Sequence, residues 1–162
     1  MKKPPIPRKE GDRLKAVKSL GILDTKPEPR FDRITKEACN RLKAPISTIS
    51  IIDEDREWYK SCQGLDAKEG PRDASFCGHA MLSDFIFIIE DTLKDERFAN
   101  NPMVVNPPHI RFYAGMALFD KKSRLPIGVL CVKDYRPRQM SPTEIQILME
   151  LAKEAEDELN RK

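Results

Sequence analysis

Residues 46–63 read Ile-Ser-Thr-Ile-Ser-Ile-Ile-Asp-Glu-Asp-Arg-Glu-Trp-Tyr-Lys-Ser-Cys-Gln. The first part, residues 46–53, is rich in isoleucine, serine and threonine, and the part from Glu57 to Gln63 is also typical of a strand. The charged residues 53–56 between them leave room only for a short turn. Because a turn this short joins antiparallel strands, the stretch predicts a β-hairpin.

A second hairpin is predicted further along the chain. Residues 111–119 alternate in polarity around Gly115, a polar turn follows at residues 120–124, and residues 127–132 are again typical of a strand. Residues 85–90 are also strand-like. The two hairpins together predict an antiparallel sheet.

Helical patterns precede and follow these strands. Apolar residues recur at helical spacing over residues 14–20 and over residues 31–42. A capping box from Ser141 to Glu144 starts a third helix, and its apolar stripe runs over residues 145–159. Helices that are segregated from an antiparallel sheet are typical of an α+β fold.

The composition indicates a globular protein. The chain has 162 residues, of which 40% are hydrophobic and 34% charged, with a formal net charge of +3. Because the two signs are mixed along the chain, we expect no nucleic acid partner. No apolar run reaches the roughly 20 residues that a membrane-spanning helix needs, and the first residues lack the apolar stretch of a secretory signal. We therefore expect a cytoplasmic protein that does not contact a membrane.

The chain is predicted to form one domain, residues 13–162, preceded by a flexible arm, residues 1–12. The arm is rich in proline, lysine and arginine, and no internal repeat follows it. The cysteines are widely spaced singletons, which suits reduced thiols better than a disulfide framework.

The segment between the two hairpins, residues 64–110, has little regular pattern. It carries both histidines of the chain and several aromatic residues, and this composition argues against disorder. Long irregular segments inside a compact domain are usually functional when they are not disordered. We expect this segment to fold over one face of the sheet as a lid and to enclose a ligand pocket.

One candidate cluster lies inside this segment. Ser75 is expected to cap a short helix that places Cys77 in its first turn. The Cys77 thiol is then either reactive, with its pKa lowered by the helix end, or simply packed at the helix start. His79 either contacts a ligand or is a buried histidine bonded to the backbone.

A second candidate cluster lies where the lid rejoins the sheet. His109, Arg111 and Tyr113 could hold an anionic or planar ligand, with bidentate hydrogen bonds from Arg111 and stacking on Tyr113. The alternative is that Arg111 pairs with a nearby carboxylate, such as Asp91 or Glu90, and locks the loop. The sequence contains no nucleotide-binding glycine pattern, no zinc-ligand spacing and no nucleophile elbow, so no metal site and no catalytic residue are predicted.

Several short motifs follow one another in a fixed order: residues 20–25 (Leu-Gly-Ile-Leu-Asp-Thr), 29–34 (Pro-Arg-Phe-Asp-Arg-Ile), 52–56 (Ile-Asp-Glu-Asp-Arg) with Trp58, 75–80 (Ser-Phe-Cys-Gly-His-Ala), 109–115 (His-Ile-Arg-Phe-Tyr-Ala-Gly) and 128–131 (Gly-Val-Leu-Cys). This ordered set resembles GAF domains, in particular those that precede diguanylate cyclase or histidine kinase modules in bacteria. The resemblance covers residues 13–158.

The resemblance implies a twisted antiparallel sheet of about six strands, with the terminal helices on one face and a lid over a pocket on the other. It also implies a sensory module that binds a small molecule without catalysis and acts through its terminal helices on an output kinase or cyclase. A homodimer through these helices is expected. The pocket residues that we expect are Trp58, Phe76, Cys77, His79, Phe98, His109, Arg111 and Tyr113.

Two alternatives remain open from the sequence. Phe76-Cys77-Gly78 resembles the cysteine stretch of free methionine-R-sulfoxide reductases, although Cys62 or Cys131 would have to replace the later loop cysteine of those enzymes. The chain could also be a GAF scaffold that dimerises without a ligand. The sequence identifies neither the ligand nor a cofactor.

Overall fold

A computed structural model describes residues 1–161 of the chain. The helices are α1 (Glu10–Ser19), α2 (Pro29–Leu42), α3 (Phe76–Ala80), α4 (Pro102–Val105) and α5 (Pro142–Asn160). The strands are β1 (Ile46–Ile52), β2 (Arg56–Gln63), β3 (Glu69–Pro71), β4 (Phe87–Ile89), β5 (Phe112–Phe119) and β6 (Pro126–Asp134).

The strands form one antiparallel sheet of six strands in the order β3-β2-β1-β6-β5-β4. The predicted hairpins are β1-β2 and β5-β6, and they meet where β1 pairs with β6 at the centre of the sheet. The predicted α+β fold is therefore confirmed. The short strand β3 was not expected from the sequence.

The three long helices cover one face of the sheet. Their apolar side chains pack against Ile49 and Ile51 of β1 and against Leu130 and Val132 of β6. The predicted capping box is present at Ser141, and the apolar stripe of α5 is buried in this core. Because each buried aliphatic side chain contributes roughly 1.5–3 kcal/mol, this layer holds the helices firmly on the sheet.

The segment between the hairpins covers the opposite face of the sheet, as predicted for a lid. It includes α3, β4 and α4, and its buried side chains form a second apolar cluster with Val129 and Cys131 of β6. Val129 and Cys131 alternate along β6 with the helix-side residues Leu130 and Val132, as the period of two of a strand requires.

The first residues of the chain lie across the lid. The backbone nitrogen of Lys2 donates to the Arg97 carbonyl at 3.0 Å, and the Lys2 carbonyl oxygen lies 3.1 Å from His79 Nε2. Pro4 is buried, and a Cβ atom added at Gly78 would lie 2.7 Å from its Cγ. Helix α1 starts at Glu10, inside the range predicted as an arm. The division into an arm and a domain stays a prediction.

The carboxylate of Glu10 anchors helix α1 to Arg72, the residue that directly follows β3. This carboxylate accepts hydrogen bonds from Arg13 Nε at 2.7 Å and from both terminal nitrogens of Arg72. Both arginines are buried. Partial burial by itself raises the pKa of Glu10, but the hydrogen bonds from the two arginines outweigh that effect and hold the pKa below its ordinary value.

Replacing this carboxylate is expected to destabilise the fold. Glu10→Gln leaves two buried guanidinium groups without their anion, and we expect a loss of about 2 kcal/mol in the free energy of unfolding, measured by urea denaturation. Because the pKa of Glu10 is lowered by folding, the loss is full at neutral pH and shrinks as the pH falls through that lowered pKa. The control is Glu54→Gln at an exposed position. If both variants lose the same free energy of unfolding, the Glu10 carboxylate does not stabilise the fold through its two arginines.

Candidate ligand-binding site

The underside of the lid is a stack of aromatic rings. The Phe76 ring lies between the rings of Phe98 and Tyr113, with centroid distances of 4.8 Å and 5.2 Å and nearly parallel planes. His79 contacts the Phe98 ring edge-on at 4.9 Å. Ser75 caps α3 by accepting a hydrogen bond from the Gly78 nitrogen at 3.0 Å, which fixes the direction in which Phe76 enters the stack.

Cys77 is fully buried beside this stack. The Tyr113 hydroxyl donates a hydrogen bond to Cys77 Sγ at 3.1 Å. Burial raises the pKa of the Cys77 thiol well above its ordinary value, so the sulfur stays protonated at neutral pH. These observations favour the packing interpretation of Cys77 over that of a reactive thiol.

The structure does not bring the remaining predicted residues together with this stack. Trp58 lies on the opposite face of the sheet, in the core under the helices. His109 is exposed, with Nδ1 3.1 Å from the Val104 carbonyl oxygen. Arg111 pairs with Asp91 at 3.1 Å, which is the loop-locking alternative. Five of the eight predicted side chains therefore lie around the stack: Phe76, Cys77, His79, Phe98 and Tyr113.

The strands beneath the lid carry buried polar side chains that were not predicted from the sequence. Thr48 and Ser50 are fully buried in β1, and their hydroxyl oxygens lie 2.8 Å apart. The Thr48 hydroxyl also lies 3.1 Å from Cys131 Sγ of β6. Burial by itself raises the pKa of Cys131, but a hydrogen bond with Cys77, the positive charge of Lys133 and the contact with Thr48 together lower it to about 7.

Two charged side chains are buried in this region without a partner. Lys133 of β6 is 0% exposed and Glu57 of β2 is 2% exposed. Within residues 1–161, neither Lys133 Nζ nor Glu57 Oε2 has a hydrogen-bond partner. The same holds for Nε of Arg72, but that side chain is neutralised by Glu10 through its other nitrogens. Lys133 and Glu57 are therefore the buried charged side chains that the described residues leave without a hydrogen bond to the atoms Lys133 Nζ and Glu57 Oε2.

Lys133 and Glu57 are close enough to influence each other but do not form an ion pair. Burial by itself lowers the pKa of Lys133, but the neighbouring Cys131 and the carboxylate of Glu57 outweigh it and raise the pKa above the ordinary value. Among the described residues, no hydrogen bond joins the Lys133 ammonium to the Glu57 carboxylate. The Lys133 ammonium lies 5.8 Å from the centroid of the Phe76 ring, so the lid shields it from water.

Glu57 and Lys133 are not among the predicted site residues, although the sequence carries a signal for them. Glu57 and Lys133 lie among the buried residues of their strands, whereas charged residues in a sequence are usually assigned to the surface. The alternation of the strands is the signal: Cys131 and Lys133 are two residues apart and therefore share a face.

In the described part of the chain, no group of three or more His, Cys, Asp and Glu side chains could hold a metal ion. None of the helices within residues 1–161 has the length and apolar character that crossing a bilayer demands.

Residues 26–159 of the chain match the family described as GAF domain. The chain belongs to the GAF domain family. A cyclic di-GMP phosphodiesterase of Pseudomonas aeruginosa is 40% identical over 138 residues, which are 85% of this chain and 23% of that protein. The chain thus spans about a quarter of the length of this relative, which is a bacterial signalling protein. The resemblance found in the sequence is confirmed.

Solved structures share the GAF fold at low sequence identity. The GAF domain of an Acinetobacter phosphoenolpyruvate-protein phosphotransferase has a TM-score of 0.64 and 18% identity, covering 91% of this chain and 92% of that one. Free methionine-R-sulfoxide reductase from Neisseria meningitidis, solved in complex with its substrate, has a TM-score of 0.64 and 17% identity, covering 92% and 87%. At these identities the similarity concerns the fold alone.

The buried charges of Lys133 and Glu57 are expected to lower the stability of the protein. We expect the double variant Lys133→Met with Glu57→Met to raise the free energy of unfolding by about 1–4 kcal/mol, because it removes two desolvated charges and keeps their volume. Urea denaturation measures this change.

The control is Lys60, which is equally buried but fully bonded. Its ammonium donates to Thr25 Oγ1 at 2.8 Å and to the Lys26 carbonyl at 2.6 Å, and it pairs with Glu28 at 2.7 Å. Lys60→Met is expected to lower the free energy of unfolding by about 1–3 kcal/mol. If the double variant were destabilised as much as Lys60→Met, Lys133 and Glu57 would be ordinary structural groups.

Proposed function

We propose that this GAF domain is a cytoplasmic sensory module that binds a small molecule between its sheet and its lid and catalyses no reaction of its own. The observation that supports binding is the pair of buried, unpartnered charges on Lys133 and Glu57. Each charge held away from water costs several kcal/mol unless a partner satisfies it. A ligand that satisfies both groups therefore stabilises the closed lid.

The proposed output is an enzyme of bacterial signalling. The resemblance to GAF domains that precede kinases and cyclases supports either of these outputs. The relative from Pseudomonas aeruginosa is named a cyclic di-GMP phosphodiesterase, and this chain corresponds to 23% of it. A cyclic di-GMP phosphodiesterase is therefore a third kind of output enzyme that is consistent with this proposal.

The proposed route from the site to the last helix passes through Arg138. Asp134 follows Lys133 directly in β6 and accepts a hydrogen bond from Arg138 Nη1 at 3.1 Å. Arg138 Nη2 donates to Glu144 Oε2 in the capping box of α5 and to the Leu42 carbonyl of α2, both at 2.8 Å. A movement of Lys133 towards a ligand would therefore be transmitted to the start of α5 and the end of α2 through the guanidinium group of Arg138.

The proposed homodimer would use the outer surface of α2 and α5. The apolar stripe of α5, including Leu148 and Leu151, is buried against its own sheet and is therefore not available to a second copy. The outer surface carries ion pairs, such as Arg33 with Glu154 at 3.1 Å. A dimer through this surface would therefore be polar and would weaken at high salt, which light scattering at two salt concentrations can measure.

The reductase alternative has little support from the site. Reduction of a sulfoxide requires a thiolate that reaches the substrate, whereas Cys77 is buried and its pKa is raised by that burial. We expect the purified protein to leave free methionine-R-sulfoxide unreduced in the presence of a thiol donor. Turnover that disappears in Cys77→Ser would overturn this expectation and favour the reductase.

The sensory proposal is tested by hydrogen exchange in α5. A metabolite that raises the melting temperature in a thermal-shift screen is expected to slow amide exchange at the start of α5 in the wild type. Arg138→Ala is expected to keep the rise in melting temperature and to lose most of the change in α5, because the link to Glu144 is cut.

The matched control is Lys121→Ala, which removes the ion pair with Asp157 near the end of α5, far from the Arg138 contacts. This variant should respond to the metabolite like the wild type. If no metabolite raises the melting temperature, the protein is better described as a ligand-free scaffold.

A further inference from the structure

The signs and positions of the unpartnered groups narrow the class of ligand. We propose that the site binds a zwitterion of the α-amino acid class, with the ligand carboxylate on Lys133 and the ligand ammonium on Glu57. This inference rests on the proposed function, since it specifies what that site would bind.

The presence of both charges excludes ligands of a single sign. An anion would satisfy the Lys133 ammonium but would leave the Glu57 carboxylate buried and add repulsion to it. A cation would leave Lys133 uncompensated in the same way. A zwitterion offers three ammonium donors to Glu57 and two carboxylate oxygens to Lys133, so both desolvated groups gain charge-assisted hydrogen bonds.

The floor between these groups does not favour a polyol or a sugar. The hydroxyls of Thr48 and Ser50 are 2.8 Å apart and satisfy each other, and Thr48 also contacts Cys131. The hydrogen-bonding capacity that remains open therefore belongs to the two charged groups, Lys133 and Glu57.

The neighbouring surfaces favour an apolar ligand side chain. Ile46, Ile52 and Val129 line the lid-facing side of the central strands, and the aromatic ring of Phe76 lies over the Lys133 ammonium. The aromatic stack already occupies the underside of the lid next to β5. A small aliphatic amino acid, such as alanine, valine or leucine, fits this combination of charge and apolar contact best.

The binding test uses three probes of matched shape. L-valine carries both charges, isovalerate lacks the ammonium, and isobutylamine lacks the carboxylate. Isothermal titration calorimetry of the wild type, repeated with L-alanine and L-leucine, is expected to detect binding of at least one amino acid. Isovalerate and isobutylamine are each expected to bind at least roughly tenfold more weakly than the amino acid of the same shape, because each loses one charge-assisted contact.

Two single variants test which side chain binds the carboxylate of the ligand and which binds its ammonium group. Lys133→Met and Glu57→Gln are each expected to weaken amino acid binding by roughly 10- to 100-fold. Lys60→Met removes a lysine of equal burial whose ammonium is bonded elsewhere, so it should leave the affinity of the folded protein unchanged. If Lys133→Met does not fold, the double variant Lys133→Met with Glu57→Met, in which no lone charge is left buried, serves in its place.

The inference is overturned if no amino acid binds the wild type, if isovalerate or isobutylamine binds as tightly as L-valine, or if Lys133→Met and Glu57→Gln bind like the wild type. Its failure can be told apart from failure of the proposed function. If a metabolite other than an amino acid slows amide exchange in α5, the inference of amino acid binding is contradicted and the sensory function is supported. If an amino acid binds through Lys133 and Glu57 without any change in α5, amino acid binding is supported and the sensory function is contradicted.

Discussion

The exclusion of water from the interior between sheet and lid is the constraint on which the candidate site depends. An ammonium group and a carboxylate, those of Lys133 and Glu57, are held there out of water without hydrogen-bond partners, while the stacked rings of Phe76, Phe98 and Tyr113 seal the lid above them. In such surroundings the electrostatic interactions are strong, and so is the penalty for an unpaired charge. A fold selected for stability alone would carry apolar side chains at these positions.

The central strands connect this site to the helices. In β6, Cys131 and Lys133 face the lid, whereas Leu130 and Val132 face the helices, so a single strand carries both the polar floor and part of the apolar core. Because the interior is closely packed, a small displacement of β6 is transmitted to both sides. Arg138 adds a polar link from the end of this strand to α2 and α5, and its backbone nitrogen also donates to the Glu90 carbonyl beside β4.

Local patterns made the architecture predictable, whereas the site depends on contacts between distant residues. The hairpins, the capping box at Ser141 and the lid follow from turn length, capping chemistry and composition, which are local. Trp58 was predicted to line the pocket, but it faces the helices on the other side of the sheet. The pairing of β1 with β2 shifts between Ile49 and Ser50, and such an irregularity changes which residues of a strand face each side. For Arg111 the sequence left two roles open, contact with a ligand and pairing with a carboxylate such as Asp91. The structure shows the pair with Asp91.

The buried charges were missed for a physical reason. A lysine or glutamate in a strand normally points to solvent, and only the cover that the lid places over the sheet makes Lys133 and Glu57 interior residues.

The most direct test of the proposed site is a high-resolution crystal structure of the protein crystallised together with an aliphatic amino acid. The account predicts ligand density within hydrogen-bond distance of both Lys133 Nζ and the Glu57 carboxylate. A direct ion pair between these two side chains, or ordered water alone between them, would contradict it.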